Sequence, residues 1–136
     1  MKGSYVLIIE MKDGTSIEVG RLGKIYFRKG YYAYIGSALN SLEKRIERHL
    51  KKEKKLRWHI DYLLKHANIL EIFYIESSRK EECNIANHFS SLKPIEKFGA
   101  SDCKCKSHLF YSENLADFKE IIKRIGLVKL RLKTFK

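Results

Sequence analysis

The segment SYVLIIEM, residues 4–11, constrains the fold more than any other. Successive side chains of a strand point to opposite faces of a sheet, and here both sets are apolar through Tyr5, Val6, Leu7, Ile8 and Ile9. Such a strand must be covered on both sides, so it belongs in the interior of a sheet with a layer packed on each face. The residues after it favour antiparallel neighbours. Asp13-Gly14 supplies a hairpin turn, SIEVG returns as a short strand, and KIYF, Lys29-Gly30 and YYAYIG form a second hairpin. The first third of the chain reads as an antiparallel meander.

Helical periodicity takes over at residue 40. Asn40 is a candidate N-cap, with Glu43 three residues on to complete a capping box. Leu42, Ile46 and Leu50 repeat along one face, and Arg45 and His49, also four apart, form the neighbouring stripe. KKEKKLRWHIDYLLKH starts basic and continues as an apolar helical pattern through Trp58, Tyr62 and Leu63; NILEIFYIE reads as a strand. A third helix follows, with Ser78 as its cap, Ile85, Phe89 and Leu92 inward, and Pro94 ending it. FGASDCKCKSHLFY is a loop running into a short strand. The final helix buries Leu115, Phe118, Ile121, Ile122 and Ile125 and stops at Gly126, and the tail LVKLRLKTFK can add an edge strand. The expected class is α/β in the broad sense (α+β): a small, mainly antiparallel sheet flanked by helices, one domain over residues 1–136.

Lys and Arg number 28 against 16 Asp and Glu, a formal net charge of +12. That surplus points to nucleic acid, because each phosphate neutralised by a cation releases condensed counterions. A membrane partner is not expected: no segment carries the broad apolar face of an interfacial helix, and none reaches the length of a bilayer span. The N-terminus lacks the apolar centre and cleavage site of a secretory signal, so the expected location is cytoplasmic. The cysteines, at 83, 103 and 105, are odd in number, which argues against a secreted disulfide scaffold.

Gly3-Ser4-Tyr5 opens the first strand, Tyr34-Ile35-Gly36 closes another, Arg45 and His49 lie on the next helix, and Glu82 lies on a later one. This ordered set resembles the GIY-YIG nuclease superfamily. The stretches GYYAYIGSA, RIERH, WHIDYLL and FGASDCKCKSHLFY are more similar still to its small stand-alone Uri-type branch, found in archaea and some bacteria. The resemblance extends from residue 3 to about residue 111. It implies a metal-dependent endonuclease acting on DNA in preference to RNA, with branched or damaged forms in repair or recombination among its candidate substrates. It also implies a catalytic set of Tyr5, Tyr34, Arg45, His49 and Glu82, with Glu82 holding one Mg²⁺ or Mn²⁺. Three departures stand out. An extra hairpin, residues 13–28, separates the two tyrosine motifs. Ser37 occupies a position where several members carry a basic residue. The asparagine that many members place after the glutamate has no clear counterpart, although Ser101 or Asp102 could fill its space.

These residue types suit phosphodiester hydrolysis, which needs an activated water, neutralisation of phosphoryl charge and help for the leaving oxygen. Glu82 suits a hard divalent ion, and Arg45 offers a permanently charged planar fork for phosphate oxygens. Tyr5 and Tyr34 are candidates to orient and deprotonate water, with Arg45 and the metal expected to lower their pKa values from about 10. His49 can relay a proton. Gly36 would let the backbone approach the substrate, with Ser37 beside it. Arg48, Lys51, Lys52, Lys54, Lys55, Arg57, Lys104 and Lys106 are the candidates for backbone phosphate contacts, with His59 also touching phosphate. Trp58 is read as core, and His59 and Asp61, two apart, face different ways.

Cys83, Cys103, Cys105 and His108 offer enough soft ligands for a zinc site. Against this stand a C-x-C spacing tighter than the commonest finger spacing and a Cys83 that could lie far from the others in space. Buried thiols or a disulfide would account for the same cysteines. Two further classes remain beside the nuclease: a module that grips DNA or RNA without turnover, and a structural or partner protein whose cysteine–histidine cluster holds zinc.

Overall fold

The computed structural model describes residues 1–100 and 103–131. Ser101 and Asp102, the expected stand-ins for an asparagine, lie outside the described residues, as do the last five residues of the tail. Among the described residues the fold is α+β, with a six-stranded antiparallel sheet and four α-helices.

Strand β1 (Gly3–Met11) is interior, as its two-faced apolarity requires. It lies between β4 (Gly30–Ala38) and β5 (Asn68–Glu76), antiparallel to both. Beyond β4 come β7 (Leu109–Ser112) and β6 (Lys93–Pro94); beyond β5 comes β8 (Val128–Leu130), the edge strand expected of the tail. Pro94 sits on the outermost strand, where its missing N–H costs no central ladder bond.

The meander expectation is corrected. Strands β2 (Thr15–Glu18) and β3 (Lys24–Phe27) pair with each other as a separate two-stranded sheet, and β1 turns past them to pair with β4. The reason is burial. Strand β2 buries only Ile17, whereas the neighbour of β1 must itself be apolar on both faces, a condition β4 meets.

Alternate residues of β1 enter two cores. Tyr5, Leu7, Ile9 and Met11 pack with helix α1 (Leu42–Leu50), helix α2 (His59–Leu64), the β2–β3 hairpin and Phe98. Val6 and Ile8 pack on the other face with helix α3 (Glu82–Asn87), through Ile85 and Ala86, with Phe89 just beyond it, and with helix α4 (Leu115–Ile125), through Phe118, Ile121 and Ile122.

Helix ends differ from the sequence reading in three places, the first being that helix α3 stops at Asn87, so that Phe89 and Leu92 lie beyond it and Pro94 stands in β6 and does not end it. Ser41 caps α1 in place of Asn40, its hydroxyl accepting from Lys44 N at 3.2 Å, while Glu43 pairs with the terminal ammonium of Met1 at 3.2 Å. Helix α3 begins only at Glu82, with Glu81 and not Ser78 at the cap position. Gly126 ends α4 in the left-handed region at φ 81°, as expected. Among the described residues no helix is long and apolar enough to cross a membrane.

Candidate functional site

Strand register brings the two tyrosine motifs together. Tyr5 is the cross-strand partner of Gly36, Ser4 of Ser37 and Gly3 of Ala38. A Cβ on Gly36 would lie 2.5 Å from both Cζ and Oη of Tyr5. The glycine is therefore needed so that the phenol can lie across β4. This corrects the expectation that Gly36 clears space for substrate: the Tyr5 ring fills that space, although Gly36 also borders the pocket described below. The Ser4 and Ser37 hydroxyls meet at 2.7 Å, and Glu81 N donates to Ser4 Oγ at 3.2 Å. That chain of bonds ties the start of α3 to both motif strands and so places Glu82.

Helix α1 brings the third component. Leu42, Ile46 and His49 form its buried face, while Leu50, expected there, is only half-buried. His49 Nε2 lies 2.6 Å from Tyr5 Oη. The ring centroids of Tyr5 and Tyr34 are 6.5 Å apart, those of Tyr34 and His49 6.1 Å, and those of His49 and Trp58 6.0 Å. Arg45 donates from Nη1 to the Ser37 carbonyl at 2.9 Å, and its guanidinium carbon lies 4.5 Å from the Trp58 ring centre. Tyr34, Arg45, Trp58, Lys80, Glu82 and His108 line one open pocket of about 350 Å³. Tyr5 and His49 pack against the Tyr34 ring without lining this pocket and are sealed from solvent, 1% and 2% exposed; His49 borders a separate pocket of about 130 Å³ with Leu50 and Lys52. A larger cleft of about 800 Å³, bordered by Met11, Tyr26 and Tyr31, lies at the opposite end of the β1–β4 pair and contains none of the candidate catalytic residues.

Burial dominates the electrostatics. It pushes both phenols above their ordinary value, and Glu82 adds to the rise; Arg45 pulls the other way without overcoming it. The expected lowering of the tyrosine pKa values is therefore not found, and both phenols are neutral at pH 7. Burial, reinforced by the Lys54 ammonium, lowers the His49 pKa to about 3. Its Nδ1 is buried without a hydrogen-bond partner, so the imidazole is held neutral. An NMR pH titration is expected to show no His49 protonation between pH 8 and about pH 4, where a free imidazole titrates near 6.5. A midpoint near 6.5 would place that ring in water. Because the folded value is depressed, the associated stability is whole above the unfolded pKa of about 6.5 and declines as pH falls towards the folded one.

The basic residues divide into two groups. Lys51, Lys55, Arg57, Lys104 and Lys106 are exposed and available to a polyanion. Arg48 forks onto Asp61, its Nη1 and Nη2 donating at 2.9 Å each, and Nη2 also donates to the Lys55 carbonyl at 3.0 Å. Lys54 caps the end of α1, donating to the Arg48 and His49 carbonyls at 3.0 and 2.8 Å. Lys52 reaches the Ala67 carbonyl at 3.2 Å. His59 Nδ1 accepts from Gly99 N at 2.8 Å and its ring packs on Phe98. The Ser37 hydroxyl is occupied by Ser4. Arg48, Lys54, His59 and Ser37, expected on substrate, thus spend these groups inside the protein.

The cysteines converge. Cys83 at the start of α3 meets Cys103, Cys105 and His108 from the loop before β7, and one ligand atom from each lies within 4.8 Å of all the others. His108 Nε2 is 3.6 Å from Cys83 Sγ and 3.5 Å from Cys103 Sγ. Burial and the neighbouring thiols push the Cys83 thiol well above its ordinary pKa. This group could hold a metal ion, and the objection that Cys83 could lie far away in space is corrected: the packing of α3 against the loop before β7 brings it to the other three.

A family model described as a domain of unknown function, DUF123, matches residues 4–129. The chain belongs to the DUF123 family. No curated protein and no solved structure matches it. The matched span of this DUF123 chain takes in every candidate site residue.

Two residues central to the site escaped sequence reasoning. Trp58, expected in the core, is only half-buried and lines the pocket, with the guanidinium carbons of Arg45, Arg48 and Arg57 at 4.5, 4.3 and 5.7 Å from its ring centre. A lone tryptophan following a cationic run was the available signal. Asp61 is fully buried and also accepts from the backbone N–H groups of Arg57 and Trp58 at 2.9 Å each. Its place three residues into a helix matched a capping position.

Proposed function

We propose that this DUF123 chain is a GIY-YIG-type phosphodiesterase that cleaves nucleic acid, DNA in preference to RNA. The observation that carries the reading is the convergence of Tyr34, Arg45 and Glu82 on one pocket of about 350 Å³, backed by the Tyr5–His49 hydrogen bond. Exposed Lys51, Lys55, Arg57, Lys104 and Lys106 supply positive charge for the polyanion.

Each side chain has a role its placement permits. The Arg45 guanidinium, held by the Ser37 carbonyl and Trp58, is pre-set to take phosphate oxygens, so little reorganisation is needed when charge develops. The Tyr34 phenol on the pocket wall can hydrogen-bond and orient a water. Behind it, the neutral His49 imidazole hydrogen-bonds the Tyr5 hydroxyl across 2.6 Å and fixes the position of that phenol. Glu82 is a single carboxylate beside open polar space, which fits a Mg²⁺ or Mn²⁺ ion that keeps several of its waters. Bound there, such an ion supplies charge neutralisation at the phosphate and stabilises the leaving oxygen.

A second reading, nucleic-acid binding without turnover, draws on the sealing of Tyr5 and His49 and on the raised phenol pKa values. Incubation of the protein with supercoiled plasmid and Mg²⁺ or Mn²⁺ separates the two. Nicked and linear products are expected from the native chain and are expected to disappear with Glu82→Gln. Salt-sensitive DNA binding by both proteins, with no cutting by either, would replace hydrolysis with the binding module.

A further inference from the structure

We propose that Cys83, Cys103, Cys105 and His108 bind one structural Zn²⁺, which clamps two walls of the pocket together. A tetrahedral ion with Zn–S of about 2.3 Å and Zn–N of about 2.0–2.1 Å sets sulfur and nitrogen ligands roughly 3.6 Å apart. The Nε2 of His108 lies 3.6 and 3.5 Å from two of the sulfurs, and all four ligand atoms fall within 4.8 Å of one another. Three thiolates and an imidazole select a soft or borderline ion over Mg²⁺. Four protein ligands close the coordination shell and leave no open position for substrate, which makes the ion structural.

The position of the cluster tells what the ion holds. Cys83 follows Glu82 directly, so a metal bond at Cys83 restrains the carboxylate that enters the pocket. His108 lines the same pocket; its backbone carbonyl accepts from Ile35 N at 2.9 Å and its N–H donates to the Phe98 carbonyl at 2.8 Å. The ion therefore joins α3 to the loop before β7 and, through His108, to the Tyr34-Ile35-Gly36 segment of β4. This zinc site stands whether or not the pocket hydrolyses anything.

The chain purified under reducing conditions without chelator is expected to carry one zinc per molecule by elemental analysis. Replacement by Co²⁺ is expected to give thiolate charge-transfer bands and the intense visible bands of a four-coordinate site, a readout that needs no variant to fold. In competition with a chromophoric chelator, Cys105→Ser and His108→Asn are each expected to weaken Zn²⁺ binding by more than about a hundredfold, beyond the loss of an outer-sphere partner. His88→Ala, which removes an exposed imidazole outside the cluster, is expected to keep the zinc. Stripping the metal is expected to lower Tm by more than about 10 °C, because binding free energy at such a site is folding free energy. Zinc well below one per chain, a six-coordinate Co²⁺ spectrum, equal metal loss in His88→Ala, or a disulfide found among the three cysteines by peptide mapping would each overturn the proposal.

Discussion

Arg45→Ala is expected to lower the single-turnover rate of phosphodiester cleavage by about 10²–10³, the loss typical when one pre-set group that stabilises developing charge is removed. Arg45 lines the pocket, and its guanidinium is held between the Ser37 carbonyl at 2.9 Å and the Trp58 face. Those contacts orient the fork before substrate arrives, so the deficit should fall on the chemical step more than on DNA affinity. Arg45→Lys should recover little, since an ammonium presents neither the planar fork nor the same stacking on indole. The fold should survive, because the substitution removes one exchangeable hydrogen bond worth about 0.5–1.5 kcal/mol. Rates measured at saturating protein, alongside melting curves, check both halves of this expectation. A variant that folds and cuts at the native rate would remove Arg45 from the chemistry.

Asp61→Ala is expected to destabilise the fold by about 3–5 kcal/mol, the range for deleting one partner of a buried ion pair, and to lower Tm by roughly 10–20 °C. The carboxylate is fully buried, with its oxygens accepting four bonds at 2.9 Å: two from Arg48 and one each from Arg57 N and Trp58 N. Its loss strands a half-buried guanidinium and two N–H groups at the entry to α2. Trp58 would lose its anchor at the pocket, and Arg45 the ring against which it stacks. Burial alone would raise the Asp61 pKa, but the Arg48 hydrogen bonds and the two backbone donors outweigh it and leave the pKa below its ordinary value. A carboxyl lowered in this way contributes stability that is present above its unfolded pKa of about 4 and is lost as pH falls through the folded value. Thermal melts from pH 7 to pH 2 should therefore show a shallower acid dependence in Asp61→Asn than in the native chain. Parallel curves would mean that Arg48 and Asp61 do not share a buried bond.

Both expectations turn on contacts that sequence reasoning could see only in part. Arg45 was legible because its four-residue offset from His49 puts both on one side of a helix, and the tyrosine motifs were legible as short strings. Arg48 and Lys54 belong to the same basic run as Lys55 and Arg57, and nothing local separates them. Their division into internal partners and exposed cations depends on where Asp61 and the end of α1 come to rest. Trp58 looked like core because aromatic residues usually are; its position in the pocket follows from three guanidiniums arriving around it. The tyrosine pKa values went the opposite way to expectation because the neighbouring arginine was visible in the sequence and the depth of burial was not.

From its residues alone this chain was bound to place Tyr5 to Ile9 inside a doubly covered sheet, to form α4 and to end it at Gly126. Those outcomes follow from the periods of two and 3.6 and from glycine's access to positive φ, all properties of a short window. Folding in three dimensions decided the rest: that β1 skips the hairpin to pair with β4, that Tyr5 lies over Gly36 against His49, and that Cys83 meets Cys103, Cys105 and His108. Each of these depends on which distant segments can be brought together without leaving apolar faces or backbone polar groups unmatched. That balance is struck over the whole chain at once, and no local pattern contains it.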